Sequence, residues 1–430
     1  MRLASLAAIG AFFCAFPLKA QTNGTTLPRE TGGTVNTAGA DPDLNLCTGV
    51  VPLPGCPVSF IENTTDSGAK RVPPPRGGIS RWDAWLLDHG FEPHFFVKTE
   101  ATGAVLDCKG PSQVDARNLF ESNLTIDLGK VLGWKATKIF ASMHNYAGGN
   151  GSAEIVEDAQ GYSNIDANPG TRMFELWVEK SVLSGKLRLK AGQMDANTDF
   201  AYVENASGFL NSSMGYSASI TEMPTYPLTR AGGAIFIVPR KFLYLSQGLF
   251  RNEPHGAMSI SEGGLRWQIL SQEMHGRVAI GFWKQTQQFC DDQGMLHRGA
   301  NGTYLVAEQE IFRQRSVVDS GSRGLAAFFQ YGTADPWSDE MDHHVGGGLQ
   351  WTGPLASRPS DLVGLGASEV HLRPDSAETT NHEMAYEAFY RVQLKRFLSV
   401  TADLQLIDHP SGDVMCSRAV AGTLRTTISF

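Results

Sequence analysis

The sequence predicts an all-β fold: a transmembrane antiparallel β-barrel of about sixteen strands, with short periplasmic turns and longer extracellular loops. Three observations carry this reading. From Phe91 onward, segments of roughly ten residues alternate apolar and polar side chains, as strands with one face on lipid and one on water must. The links between them are alternately short and long. The last segment sets Val420, Gly422, Leu424, Thr426, Ile428 and Phe430 on one face, ending in an aromatic, and Ala421, Thr423, Arg425, Thr427 and Ser429 on the other.

Arg2 gives a positive n-region, Leu3 to Phe16 is apolar, and Leu18-Lys19-Ala20 places a small residue before Gln21, so residues 1–20 are expected to be a signal peptide. Cys14 follows Phe12 and Phe13 rather than small residues, which argues against lipoprotein cleavage. Residues 21–75 are rich in Gly, Thr, Asn and Pro and lack periodicity, which predicts a loosely structured periplasmic extension. Residues 76–430 form the expected barrel domain. Between Ile79 and Gly90, the helical spacing of Trp82, Trp85 and Leu86 predicts a short amphipathic helix leading into the first strand.

Beyond the signal no run of about 18 apolar residues occurs, so membrane helices are excluded on length. The composition, 42% hydrophobic and 19% charged with 46 glycines, suits a barrel with a wet interior or a large globule. Without Arg2 and Lys19, 34 basic residues face 44 acidic ones. A net charge of about −10 disfavours nucleic acid as a partner.

Alternation places strands near 91–104, 121–128, 137–146, 172–179, 186–193, 230–238, 243–250, 263–270, 277–284, 302–312, 323–331, 344–352, 361–370, 384–394, 399–407 and 418–430, with 243–250 and 302–312 alternating poorly. The even count suits a closed antiparallel barrel with both ends on one side. Even strands are followed by brief links such as Gly129 to Ala136, Lys180 to Gly185, Pro239 to Lys241 and Lys395 to Leu398. Odd strands are followed by longer ones such as Ala147 to Thr171, Met194 to Thr229 and Gln285 to Asn301.

One hairpin shows the physics. Phe174, Leu176 and Val178 share a face with Leu187, Leu189 and Ala191, while Glu175, Trp177 and Glu179 share the other with Lys186, Arg188 and Lys190. A turn centred between Val182 and Leu183 pairs Glu179 with Lys186, Trp177 with Arg188, and Glu175 with Lys190, each ion pair favouring the register by roughly 0.2–1 kcal/mol. A solvated sheet face with register-setting ion pairs accounts for these six residues as well as a sugar-binding wall does. Near the end of the chain, Met384, Tyr386, Ala388, Tyr390, Val392 and Leu394 form an apolar stripe opposed by Val400, Ala402, Leu404 and Leu406. Glu387, Arg391 and Asp403 lie on the polar face, with Arg391 expected opposite Asp403.

These residues carry a family resemblance. RMFELWVEKSVLSGKLRLKAGQMDANTDFAYVENASGFLNSS, from Arg172 to Ser213, resembles the central signature of the carbohydrate-selective porins of the OprB type. DLGKVLGWKATKIFAS (Asp127 to Ser142), YLVAEQEIF (Tyr304 to Phe312), FFQYGTADP (Phe328 to Pro336) and ADLQLIDHPSGD (Ala402 to Asp413) match the same family in order, so the likeness spans most of the chain after residue 76. It implies a bacterial outer-membrane barrel of sixteen strands that lets small sugars diffuse passively into the periplasm, with no energy source, no cofactor and no enzymatic activity. Whether such a chain acts as a monomer or a trimer stays open.

A pore that prefers neutral polyols needs hydrogen-bond partners and an apolar platform, with binding weak enough to release. The wall candidates are Glu175, Trp177, Glu179, Lys186, Arg188, Lys190, Glu387, Arg391, Asp403 and Arg425. The connection from Met194 to Thr229 is too long for an ordinary turn and can fold inward. On it, Asp195, Asn197, Glu204, Asn205 and Asn211 are constriction candidates, although Asn and Asp also serve local turn chemistry. A porin of general or anion selectivity and, in another class, a secreted β-rich carbohydrate-binding protein remain alternatives.

Five cysteines follow the signal. Cys47 and Cys56 flank a short segment able to close as a disulfide loop. Cys108 falls in the first long connection and Cys416 in the last, and because the first and last strands pair to close a barrel, a Cys108–Cys416 bridge is expected. Cys290 is left over in this arithmetic. Asp339, Glu340, Asp342, His343 and His344 make an acidic, His-rich outer segment whose spacing matches no closed metal site, so no metal is assigned. No catalytic motif of the Gly-x-Ser-x-Gly, phosphate-loop or His-Glu-x-x-His kind is present, so no catalytic residue is assigned. The remaining expected partners are outer-membrane lipid and, through the strand ending at Phe430, the barrel-assembly machinery.

Overall fold

The computed structural model describes residues 81–430 apart from 111, 253–255, 270–273, 292, 316–321, 339–340 and 374–379. The expected signal peptide, the extension 21–75, Cys47 and Cys56 lie outside the described residues. A helix, α1 (Arg81–Asp88), leads into sixteen strands. These are β1 (Phe91–Leu106), β2 (Gln113–Asp127), β3 (Thr137–Gly148), β4 (Gly170–Val182), β5 (Leu187–Met194), β6 (Arg230–Arg240), β7 (Leu243–Arg251) and β8 (Ala257–Ile269). They continue with β9 (Met274–Cys290), β10 (Leu296–Arg315), β11 (Ser322–Ala334), β12 (Met341–Thr352), β13 (Leu362–Leu372), β14 (His382–Lys395), β15 (Leu398–Asp408) and β16 (Arg418–Ser429). Each pairs antiparallel with its chain neighbours, and β1 pairs with β16 from Phe96↔Ser429 to Leu106↔Ala419, closing the barrel.

The side chains are sorted as a lipid-embedded barrel requires. On β4 Leu176 is 48% exposed and the adjacent Glu175 0%; on β15 Leu404 is 56% exposed and Gln405 0%. Outward positions are apolar, and inward positions carry the buried charged and polar side chains together with a set of aromatics, so lipid rather than an inner sheet covers the outer apolar band. Trp134, Phe242, Trp267, Trp351 and Phe397 are exposed in or beside the links on the side of the chain termini, an aromatic girdle of the kind that settles at headgroup level.

The two poorly alternating segments have local causes. A bulge between Glu310 and Phe312 leaves both Ile311 and Phe312 on the outer face of β10. On β7 the outward Gln247 is satisfied laterally: its amide donates to Ser259 at 3.0 Å, and Ser261 donates to it at 2.5 Å.

Several expectations are corrected. The outer links are mostly short because the strands run further than alternation indicates: the expected link 285–301 shrinks to 291–295, and the first connection to 107–112. Only 149–169 and 195–229 are long. The β4–β5 register pairs Glu179 with Lys190, Trp177 with Gly192 and Ser181 with Arg188, four residues from the expected pairing because the turn centre lies two residues later. Glu175, Trp177, Glu179, Arg188 and Lys190 keep their face, whereas Phe174, expected beside Leu176 on the outer face, is turned inward and buried at a bulge opposite Ser142 and Met143. Lys186 falls in the exposed turn rather than on the wall. Arg391 pairs with Thr401, and Asp403 with Phe389, because a bulge between Gln393 and Lys395 shifts the β14–β15 ladder.

Cys108 and Cys416 are joined across the β1–β16 seam with Cα atoms 4.8 Å apart. Cys290 is itself disulfide-bonded, which corrects the arithmetic that left it over.

Candidate functional site

The lumen is built around the loop 195–229, which follows the inner wall and is held there by its backbone. The amide of Asp195 donates to Glu175 on β4 at 3.0 Å, Ala201 to Glu262 on β8 at 2.8 Å, Asn205 to Glu308 on β10 at 2.7 Å, and Gly208 to Gln350 on β12 at 2.9 Å. The amides of Leu210 and Asn211 both donate to Glu387 on β14, and the Asn211 side chain donates to Gln405 on β15 at 3.2 Å. Asp199 accepts from Arg188 at 2.9 Å and Lys190 at 2.7 Å on β5. Buried backbone N–H groups need partners, and carboxylates are strong ones, so acids alternating along even-numbered strands fix the path of the loop.

Between loop and wall lies an apolar core: Phe200, Phe209 and Met214 of the loop pack in one cluster with Phe236, Phe250, Trp283, Phe328 and Phe389 of the wall. Burying each large loop side chain contributes roughly 1.5–3 kcal/mol. At Gly366 on β13 a Cβ would lie 2.8 Å from Phe209 Cε1, so a side chain there would push the loop off the wall.

The second long connection, 149–169, also folds inward, which length and patterning did not single out. Its signal was available in Ile155, Val156, Tyr162 and Ile165, all buried and all unusual for a water-facing loop. Arg117 on β2, fully buried, binds Tyr162 and Asp166 of this loop and pairs with Asp115 at 2.7 Å. Ser163 donates to Glu100 on β1 at 2.8 Å, and Glu100 also accepts from Arg425. Sequence reasoning likewise missed Glu262 and Glu308, although each occupies an inward position in its alternating strand.

The wall candidates thus divide by role. Glu175 and Glu387 grip loop amides, and Glu179, Arg188 and Lys190 belong to a chain of ion pairs that includes Lys138–Glu179 at 3.1 Å and Arg188–Glu179 at 2.6 Å. Trp177, only 7% exposed, stacks on Phe140 with Lys190 over its ring at 4.3 Å and donates to Glu175 at 3.0 Å; it is part of the core rather than an open platform. Asp403 is buried and accepts from Gln405 at 3.1 Å. Arg391 makes no hydrogen bond or ion pair among the described residues and is partly open to water. It occupies one register row with Thr401, Arg425, Glu100 and Arg117, running across β14, β15, β16, β1 and β2.

Of the loop candidates, Asp195, Asn197 and Asn211 are buried. Asn197 donates to Phe200 O at 3.2 Å, and the side chain of Asn211 caps Ser213 N at 3.0 Å, so both shape the loop. Asn205 is half-buried and bound to Glu308; Glu204 is exposed.

Two loop carboxyls carry opposite shifts. Burial alone would raise Asp199, but Lys190 and Arg188 hold it down at about 2. Burial, with Glu175 alongside, pushes Asp195 up to about 8. An acid raised on folding stabilises the protonated folded form; that contribution is complete below the ordinary aspartate value and is lost as pH rises through about 8. Raising the pH from about 6 to about 9 is therefore expected to loosen the loop where it meets Glu175. Amide exchange at residues 195–200, corrected for intrinsic rates, should show this step in the parent chain and not in Asp195→Asn. An equal step in the variant refutes the assignment.

Closed antiparallel strands, an apolar outer band and a lumen narrowed by inward loops define an outer-membrane channel of the porin class. The chain belongs to the OprB family of carbohydrate-selective porins, whose family model matches residues 115–430. Porin B of Pseudomonas aeruginosa is 23% identical over 372 residues, 72% of this chain and 81% of that protein. The high-pH structure of Pseudomonas putida OprB superposes with a TM-score of 0.73 at 18% identity, covering 81% of this chain and 96% of that one. Its low-pH structure gives 0.57 at 17% identity, covering 81% and 95%. These structural likenesses concern the fold.

Proposed function

We infer that the protein is a passive outer-membrane channel for small sugars, with Arg391 as the group that meets the solute. The carrying observation is that the wall acids and most wall cations are consumed in holding the inward loops, while among the described residues nothing engages the five N–H donors of Arg391. A planar guanidinium offers two parallel donors to a vicinal diol, and in contact with water it binds weakly enough to release. Glu204, exposed on the loop, adds an acceptor of opposite sign. We expect no catalytic group and no cofactor along this path. Residues 76–430 are proposed as the channel unit, and β16, with Phe430 after it, as the segment presented to the barrel-assembly machinery.

Arg391→Ala is expected to slow glucose entry severalfold in liposome swelling while leaving the barrel folded, and Arg391→Glu to move the reversal potential in a salt gradient toward cations. Unchanged rates in both variants would remove Arg391 from the path. One observation favours anion selectivity as a second reading: Arg391 and Arg425 share a register row in which Glu100 is the acid. Swelling assays with glucose, larger oligosaccharides and a charged solute of similar size separate the two. Equal permeation by anions and sugars rejects sugar preference.

A further inference from the structure

The outer end of the β12–β13 pair carries a constellation that solute passage does not use. His343 on β12 and His371 on β13 are directly opposed in register, and both rings project from the outer face of the barrel, their side chains 53% and 44% exposed. A bulge between Met341 and His343 leaves Asp342 without an opposite number on β13 and brings its carboxylate beneath the two rings. One oxygen, Asp342 Oδ1, accepts from His343 Nδ1 at 2.8 Å and from His371 Nδ1 at 2.6 Å. The rings cross at 86° with centroids 5.7 Å apart, and the three potential ligand atoms lie within 4.8 Å of one another.

We propose that Asp342, His343 and His371 bind a divalent transition-metal ion of the zinc type at the extracellular rim, with water completing the coordination. Two imidazole nitrogens and a carboxylate oxygen suit zinc, whereas calcium and magnesium favour all-oxygen shells. Ligand atoms around a tetrahedral zinc lie roughly 3.3 Å apart, so on binding the exposed rings swing to carry each Nδ1 away from the carboxylate and the two toward each other, each ring binding through Nδ1 with its proton on Nε2. A neighbour is placed to orient His371. Its Nε2 lies 3.4 Å from Asn381 Nδ2, and Asn381 Oδ1 lies 3.3 Å from His382 Nδ1. Rotating that amide by half a turn lets Oδ1 accept from His371 Nε2–H and Nδ2 donate to His382, which leaves the His371 Nδ1 lone pair for the ion. His344, grouped with this segment from sequence, points inward to Ser217 and Ser368 and takes no part.

The test is calorimetric titration of the tag-free full chain in detergent with Zn²⁺, and separately with Ca²⁺. One Zn²⁺ per chain is expected, with no Ca²⁺ response. Asp342→Asn and His371→Ala should each weaken Zn²⁺ binding by at least about tenfold. His275→Ala, at an exposed histidine elsewhere, should leave it unchanged. The variants alter surface side chains, and heat-modifiable gel mobility confirms that each barrel is folded. Absence of Zn²⁺ binding, equal Ca²⁺ binding, or full Zn²⁺ affinity in the His343→Ala/His371→Ala double variant overturns the site.

Discussion

Replacing residues 196–228 with a short Gly-Ser hairpin should raise single-channel conductance several-fold and abolish discrimination between sugars and salts of similar size. Met194 and Arg230 are register partners, so the cut ends already lie at hairpin distance and the barrel can close without the loop. The excised segment contributes Phe200, Phe209 and Met214 to the interior, and its removal returns that volume to water. Glu262, Glu308 and Glu387 would then exchange loop amides for water rather than stay buried and unsatisfied, while Glu175 keeps the retained amide of Asp195, so the strands tolerate the change. Planar-bilayer recording decides the matter. Parental conductance in a barrel shown by mass to lack the loop would mean that the constriction lies elsewhere.

Leu404→Arg should be the most damaging single substitution considered for the outer face. Leu404 is midway along β15 and 56% exposed, so in the membrane it contacts acyl chains. Arginine at the bilayer midplane of such a barrel costs about 2–4 kcal/mol. Leu404→Ala should cost markedly less, because lipid closes over the shortened side chain and leaves no protein cavity. In a soluble core the order would approach equality, with alanine costing about 2–5 kcal/mol. Denaturant unfolding from lipid vesicles measures both. An arginine variant within about 0.5 kcal/mol of the parent would show that Leu404 does not meet hydrocarbon.

How far the sequence speaks is seen best in the β4–β5 hairpin. The facing of Glu175, Trp177, Glu179, Arg188 and Lys190 follows from a period of two and was legible. The register was not, because the turn places Leu183 at φ 52° and Ser184 at φ 56° before Gly185. Neither Leu nor Ser announces left-handed backbone, so a reader centres the turn too early. The same limit governs the lumen. That Glu387 points inward is periodic information; that it accepts the amides of Leu210 and Asn211 depends on a loop nearly two hundred residues away in the chain, and nothing local encodes it. Arg391 was legible as a wall residue, whereas its lack of a partner among the described residues emerges only when the acids around it have been assigned.

The grip of Glu175, Glu262, Glu308 and Glu387 on the loop is exerted through peptide N–H groups, which every residue but proline possesses. Attachment and chemical character are therefore separable in heredity: side chains along the eyelet can be exchanged for others, retuning what is admitted, while the suspension that holds it in place is inherited intact.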